Sequence, residues 1–247
     1  MRPGEATDAV FTQAPSSRVP QGRSGASSNR EDMSTSSASD DTLRAQLQQA
    51  ACESPQARQR CRDLVEELLT RDPEGLAREA RWFLTLAWPA SGEHPADETA
   101  DLMMEANPRL FEAPVAGAAE ACSAPQTRFR LTRAVFRRFP GRYRQRMLEV
   151  GREVLASGEV PPEVAVWLVR KFGAELVPDL VGYVRCQGGG AERLDVLHEA
   201  VKVLGLGADP VLQAALGSGC EELEAAAREA LRRMGARLPE ETGSPNS

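Results

Sequence analysis

The chain has 247 residues, with 30 Lys and Arg against 36 Asp and Glu, a net charge of −6, 41% hydrophobic residues and only 5% aromatics. That balance excludes long-range attraction of the whole molecule to nucleic acid or to an anionic membrane. It also excludes a thick core built on large rings, and it favours many thin helix–helix contacts made by Leu, Val and Ala.

The length allows one large or two small domains. Ile is absent, and Lys171 and Lys202 are the only lysines. This bias points to a GC-rich bacterial coding sequence, so an abundance of Arg has no functional meaning by itself. The five cysteines, Cys52, Cys61, Cys122, Cys186 and Cys220, are odd in number and lack C-x-x-C spacing. They read as reduced thiols, with neither a disulfide framework nor a zinc site. The N-terminus lacks the apolar run of a signal peptide, and no stretch approaches the length of a membrane span. A cytoplasmic protein without membrane association is expected.

Residues 1–39 are rich in Ser, Gly, Pro, Arg and Ala. They bury too little surface to offset their ordering entropy, so a disordered tail is expected. Met33-Ser34-Thr35-Ser36 resembles an ordinary protein start. Residues 1–32 are then either an upstream extension of the reading frame or a tail for targeting or secretion. Asp40 or Asp41 is placed to cap a helix reaching about Cys52. Ser54-Pro55 signals the next start, with Cys61, Leu64, Val65, Leu68 and Leu69 on one face to about Thr70. Asp72-Pro73 restarts the chain in the same way, and Leu76, Ala80, Phe83, Leu84 and Ala87 form a face ending near Trp88-Pro89.

After a loop, a helix is expected from Ala96 to about Ala106. Residues 107–126, with Pro108, Pro114, Gly117 and Pro125, read as an irregular connector holding one short Ala-rich helix. This divides the chain into an N-terminal helical region, 40–124, and a second region, 125–238. Residues 239–247 should fray. Helices are expected at about 127–139, 142–156, 162–172, 175–186, 191–204, 209–216 and 220–234, and no strand pattern appears.

The second region repeats itself. Counting back 1, 4, 5, 8 and 9 residues from Gly173 gives Phe172, Val169, Leu168, Ala165 and Val164. From Gly205 the count gives Leu204, Val201, Ala200, Leu197 and Val196, and from Gly235 it gives Met234, Leu231, Ala230, Ala227 and Ala226. All are apolar at the spacings of one helix face. The period of 32 and then 30 residues is that of helical repeat arrays. Phe139, Phe136, Val135, Thr132 and Leu131 form a degenerate earlier copy if Pro140 stands at the glycine position. Each unit is a helix pair whose first helix ends in glycine, with Pro178 and Pro210 near the start of the second.

The stretch Ala225 to Gly235, A-A-A-R-E-A-L-R-R-M-G, resembles the first helix of a HEAT repeat of the short bacterial kind. Gly207 to Leu212 is similar to the turn and second-helix start of that family. The resemblance covers about 127–236. It implies an all-α, right-handed stack of helix pairs (an alpha-solenoid), with residues 41–106 extending or capping the stack. It carries over no functional residue. Such arrays serve as scaffolds, accessory subunits and peptide binders, and occasionally as enzymes on DNA.

The strongest charge feature is the run Arg128, Arg130, Arg133, Arg137, Arg138, Arg142, Arg144, Arg146 and Arg152, with Glu149 and Glu153 as its only nearby acids in sequence. Such a ridge reads as a solvated face or as a binding site for phosphates or an acidic helix. With a net charge of −6 and no interleaved aromatics, an acidic protein partner fits it better than DNA. The candidate binding residues are Arg133, Arg137, Arg138, Arg142 and Arg146, with Asp179 and Tyr183 on the face lined by the second helices. His94 and His198 lack ligand-spaced partners, and Asp195 is placed for a surface pair with His198. Trp82, Trp88 and Trp167 read as core anchors, or one of them as the lining of a groove, since Trp is enriched at interface hot spots. Gly188-Gly189-Gly190 lacks the Lys of a phosphate loop. No catalytic residue, cofactor or metal is expected. The functional expectation is a non-catalytic protein-interaction or scaffold module. The alternatives are nucleic-acid binding by the Arg ridge and a base-removing HEAT-like enzyme using Asp179 and Trp167.

Overall fold

A computed structural model describes residues 32–51, 56–86, 96–158, 160–185 and 191–235. The twelve α-helices among them are α1 (Asp32–Ala50), α2 (Ala57–Arg71), α3 (Pro73–Thr85), α4 (Ala96–Ala106), α5 (Pro108–Ala121), α6 (Pro125–Arg138), α7 (Pro140–Ser157), α8 (Pro162–Phe172), α9 (Val177–Arg185), α10 (Leu194–Leu204), α11 (Asp209–Leu216) and α12 (Glu221–Arg233). Short 3-10 turns occupy Gly173–Leu176, Ala191–Arg193 and Gly205–Ala208. The fold is all-α, with no strand among the described residues. None of the described helices is long and apolar enough to cross a membrane. The described residues from Ser39 onward form one unit by contact. The expectations for residues 1–31, Cys52, Ser54-Pro55, Trp88, His94, Cys186, Gly188–Gly190 and the tail 239–247 lie outside the described residues.

Local chemistry sets several of the helix starts. Asp72 accepts a hydrogen bond from the Gly75 amide at 2.9 Å, and Pro73 occupies the first turn of α3. Asn107 does the same for α5, accepting from Leu110 at 3.2 Å with Pro108 following it. Two stretches differ from the sequence expectation. α1 begins at Asp32, ahead of the Asp40 and Asp41 caps. Within 107–126, read as an irregular connector holding one short Ala-rich helix, α5 runs unbroken for 14 residues. Pro114 lies inside α5, yet Phe111, Val115, Ala118 and Ala119 are all buried on one stripe. Burial of that face outweighs the single backbone hydrogen bond that the proline removes.

Two apolar cores meet on α6. Its Leu131, Ala134 and Val135 join the core formed by α1 to α5, while Phe129 and Phe136 join the core of α7 to α12. Phe129 and Phe136 meet Trp167 edge-on, at centroid distances of 5.8 and 6.0 Å, and Phe136 lies 5.8 Å from Phe172. These rings join α6 to α8. Beyond α8, like elements pack on like: α8 on α10, α10 on α12, and α9 on both α7 and α11.

The 32-residue spacing is a conformational repeat as well as a sequence one. Gly173 (φ 45, ψ −113) and Gly205 (φ 55, ψ −125) cap α8 and α10 in nearly the same backbone state. Each donates its amide to the carbonyl four residues back, Val169 or Val201. Each then opens a 3-10 turn leading into the next helix. Gly235 also has a positive φ, of 72. A side chain at such angles meets the neighbouring peptide groups, which is why glycine stands there. All five core positions of the first copy are buried, three of the second and two of the third, and the remainder are half-buried. Cover thins toward α12, the last described helix, because no later described helix packs beyond it.

Candidate functional site

The arginine run lies on α6 and α7, and its side chains reach acids on other helices. Arg137 pairs with Asp101 at 3.2 Å and Arg138 with Glu105 at 3.5 Å, both on α4. Arg142 pairs with Glu112 on α5 and stacks 5.7 Å from the Phe139 ring. Arg144 pairs with Glu175, and Arg152 pairs with Asp179 at 3.5 Å while donating to the Glu175 carbonyl. Arg128 holds Glu153 at 2.6 Å. Arg146 reaches Glu149 at 3.5 Å, within its own helix. Arg133 lies 5.9 Å from the Phe129 ring centroid. Burial pushes the Asp101 carboxyl above its usual range, and Arg137 and Arg133 pull it back. The run is therefore a set of seams between helices. Each exposed pair contributes at most about 1 kcal/mol, but the pairs occupy the guanidinium forks that a ligand would use.

The other two predicted binding residues are similarly committed. The half-buried Asp179 carboxylate is held by Arg152. Tyr183 is buried, at 3% exposure, and its hydroxyl donates to the Val160 carbonyl at 3.3 Å. The buried Arg193 stacks 5.0 Å from the Tyr183 ring, so this phenol is part of the packing between α9 and the turn before α10. Burial raises the Tyr183 hydroxyl above its ordinary range, with Arg193 opposing. Trp167 belongs to the ring cluster and Asp179 to the ion pair with Arg152.

A different surface remains open. A groove of about 670 Å³ runs between α8 and α10, lined by Pro162, Glu163, Val166, Trp167, Arg170, Glu192, Asp195, His198 and Glu199. Its volume is that of a ligand or peptide-docking cleft. Its lining has a regular register. Counting back 10, 7, 6 and 3 residues from Gly173 gives Glu163, Val166, Trp167 and Arg170. The same count of 10, 7 and 6 from Gly205 gives Asp195, His198 and Glu199. These positions lie on the helix faces turned away from the core stripe.

One edge of the groove is fixed by a bidentate pair. Arg170 donates to both carboxylate oxygens of Glu199, at 2.7 and 3.0 Å. Those hydrogen bonds hold the Glu199 carboxyl below its usual range and raise Arg170 above its own. Glu163, Glu192 and Asp195 are exposed and form no ion pair among the described residues, and Asp195 does not pair with the exposed His198. Trp167 is half-buried, so it is a core anchor on one side and groove lining on the other. The sequence signal for this groove was the same glycine count that located the core, read on the opposite stripe.

Among the described residues, no group of three His, Cys, Asp or Glu side chains is arranged to hold a metal ion. No family model, no curated protein and no solved structure matches the chain.

Proposed function

We propose that residues 127–236 form a HEAT-like stack of helix pairs, and that the chain is a non-catalytic module that binds a protein partner in the groove between α8 and α10. The observation that carries this reading is the groove itself. It is concave and built from equivalent positions of two successive repeat units, and its polar lining is mostly uncommitted. Folding requires the core stripe to be apolar but makes no such demand on this outer stripe. The conformational repeat at Gly173 and Gly205 supports the HEAT-like architecture, in which stacking of like elements creates extended binding surfaces. The interhelical pairing of the arginine run weighs against nucleic acid, because phosphates would have to displace carboxylates already in place.

Hydrogen–deuterium exchange tests this reading. The full chain is exchanged alone and then with the protein that copurifies with it from its native cell after cross-linking. Protection confined to 162–172 and 191–204 is expected. Protection confined to α6 and α7, or none anywhere, refutes the groove as the docking face.

A further inference from the structure

Resting on the reading just given, we infer that the groove's occupant is a basic, extended protein segment that lays an arginine against Trp167 between the carboxylates of Glu163, Glu192 and Asp195. Three independent observations lead there.

The first is the charge left over. In this chain, acids that face another helix are generally answered by arginine: Asp101, Glu105, Glu112, Glu175, Asp179 and Glu199 all have partners. Glu163, Glu192 and Asp195 line one cleft, and no described cation pairs with them. The Arg170–Glu199 pair is neutral as a unit. The lining thus holds three exposed carboxylates that its one arginine, already held by Glu199, does not neutralise.

The second is the aromatic group. Three carboxylates alone would be only a solvated patch. The lining also contains Trp167, whose indole is fixed in place by edge contacts with Phe129 and Phe136 and by Phe172 at 6.3 Å. A ring held by its packing loses little entropy when a ligand stacks on it. A cation over an indole face gains about 0.5–1 kcal/mol when exposed and about 2 or more when desolvated. This molecule already uses arginine over aromatic rings, with Arg44 5.7 Å from Trp82, Arg144 5.1 Å from Phe172 and Arg193 5.0 Å from Tyr183.

The third is shape. The cleft runs between two walls, with Glu163, Trp167 and Arg170 along α8 and Asp195, His198 and Glu199 along α10. Its volume of about 670 Å³ accommodates a few side chains rather than a whole helix. An extended strand that points alternate residues into the cleft fits it, with arginine preferred to lysine because its planar guanidinium both stacks and forks onto carboxylates. An acidic segment, a nucleic acid or an anionic membrane would be repelled.

The test uses the full chain and a fluorescein-labelled nine-residue peptide of alternating Arg and Ser, read by fluorescence anisotropy at 0.05 and 0.15 M salt. Saturable binding that weakens with salt is expected. The variant E163Q/E192Q/D195N should weaken it at least tenfold. A control variant with the same loss of charge elsewhere, E67Q/E74Q/E222Q, should change it less than twofold. Trp167→Phe, which keeps the ring packing, should weaken it severalfold and weaken the corresponding Lys–Ser peptide less.

Absence of binding at 0.05 M salt overturns the inference, as does equal weakening by the groove and control variants. These failures are separable from failure of the functional reading. If the native partner protects α8 and α10 while the Arg–Ser peptide does not bind, the groove is the docking face and its occupant is not basic. If the native partner protects neither helix, the functional reading falls as well.

Discussion

Gly205→Ala isolates the energetic role of the repeated glycine. A Cβ built at Gly205 meets nothing within 4 Å, so the substitution creates no clash. What it does create is an alanine at φ 55, ψ −125. An L residue pays for that backbone state in steric contact with its own flanking peptide groups, at about 1–3 kcal/mol. A partial offset of about 0.4–1 kcal/mol applies where alanine fits the native backbone, and here it does not. The expected net loss is therefore about 1–3 kcal/mol, or a fall in Tm of very roughly 2–4 °C for each kcal/mol in a domain of this size. Gly173→Ala should lose a similar amount, since its Cβ would meet Leu204 and Val203 only at 3.5 and 3.6 Å, ordinary contact distances.

Gly141→Ala is the internal control. It lies in the first turn of α7, again with nothing within 4 Å of a Cβ, and it lacks a positive φ. It should be neutral to stabilising, by up to about 1 kcal/mol. Urea unfolding followed by circular dichroism, with the m-value monitored, measures all three. If G205A is as stable as wild type while G173A is not, the two glycines do not do the same job. The conformational repeat would then lose its energetic meaning.

Three further outcomes follow from the geometry. The Thr132 hydroxyl is buried without a hydrogen-bond partner beside a cavity of about 20 Å³, so Thr132→Val should raise stability by about 1 kcal/mol in the same urea assay, and a loss would show that the hydroxyl is satisfied. Cys61 is fully buried and its thiol is pushed up to about 11, so at pH 8 iodoacetamide should label Cys122 and Cys220 well before Cys61, with mass spectrometry reading the order and urea abolishing it. Arg170 holds Glu199 below its ordinary value of 4.5, a contribution present above that pH and lost as pH falls through the lowered value, so the Tm gap between wild type and Arg170→Gln should be present at pH 7 and close toward pH 3.

The elements legible in the sequence were those with both a start signal and an uninterrupted stripe. Asp72-Pro73 with Leu76, Ala80, Phe83 and Leu84 gave α3, and the glycine count gave α8 and α12 to within a residue and α10 to within three, the 3-10 turn Ala191–Arg193 taking its expected start. α5 was read only as one short Ala-rich helix in a connector because Pro114 argued locally for a break, while the stripe Phe111, Val115, Ala118 and Ala119 gains its energy from helices distant in sequence. The same limit applies to the arginine run. Read along the chain, its neighbouring acids were Glu149 and Glu153. In the fold, Asp101, Glu105, Glu112, Glu175 and Asp179 reach it from 23 to 36 residues away. Charge that looks uncompensated over one window is compensated across a helix seam, and no count within the window reveals it.

The glycine register turns that lesson around. Counted back 10, 7 and 3 residues from Pro140, the outer stripe of α6 holds Arg130, Arg133 and Arg137. At the same count, α8 holds Glu163, Val166 and Arg170, with Trp167 between, and α10 holds Asp195, His198 and Lys202. The core stripe keeps one chemistry from copy to copy because burial demands it. The outer stripe is under no such demand, yet its charge falls from three arginines on α6 to one acid balanced by one arginine on α8, and it gains a single tryptophan where the acids begin. Helix dipoles explain part of this, since Glu163 and Asp195 sit in first turns where negative charge is favourable. The same dipole favours Glu192 in the 3-10 turn leading into α10, but it does not explain why Arg170 neutralises Glu199 at one edge and leaves the other three acids unpaired. Folding would be served as well by alanine or by a paired lysine at those sites. On the function proposed above, a stripe that departs from its neighbours where folding is indifferent is the one on which the partner would act, and the acids left unpaired there make a positively charged partner the one to test.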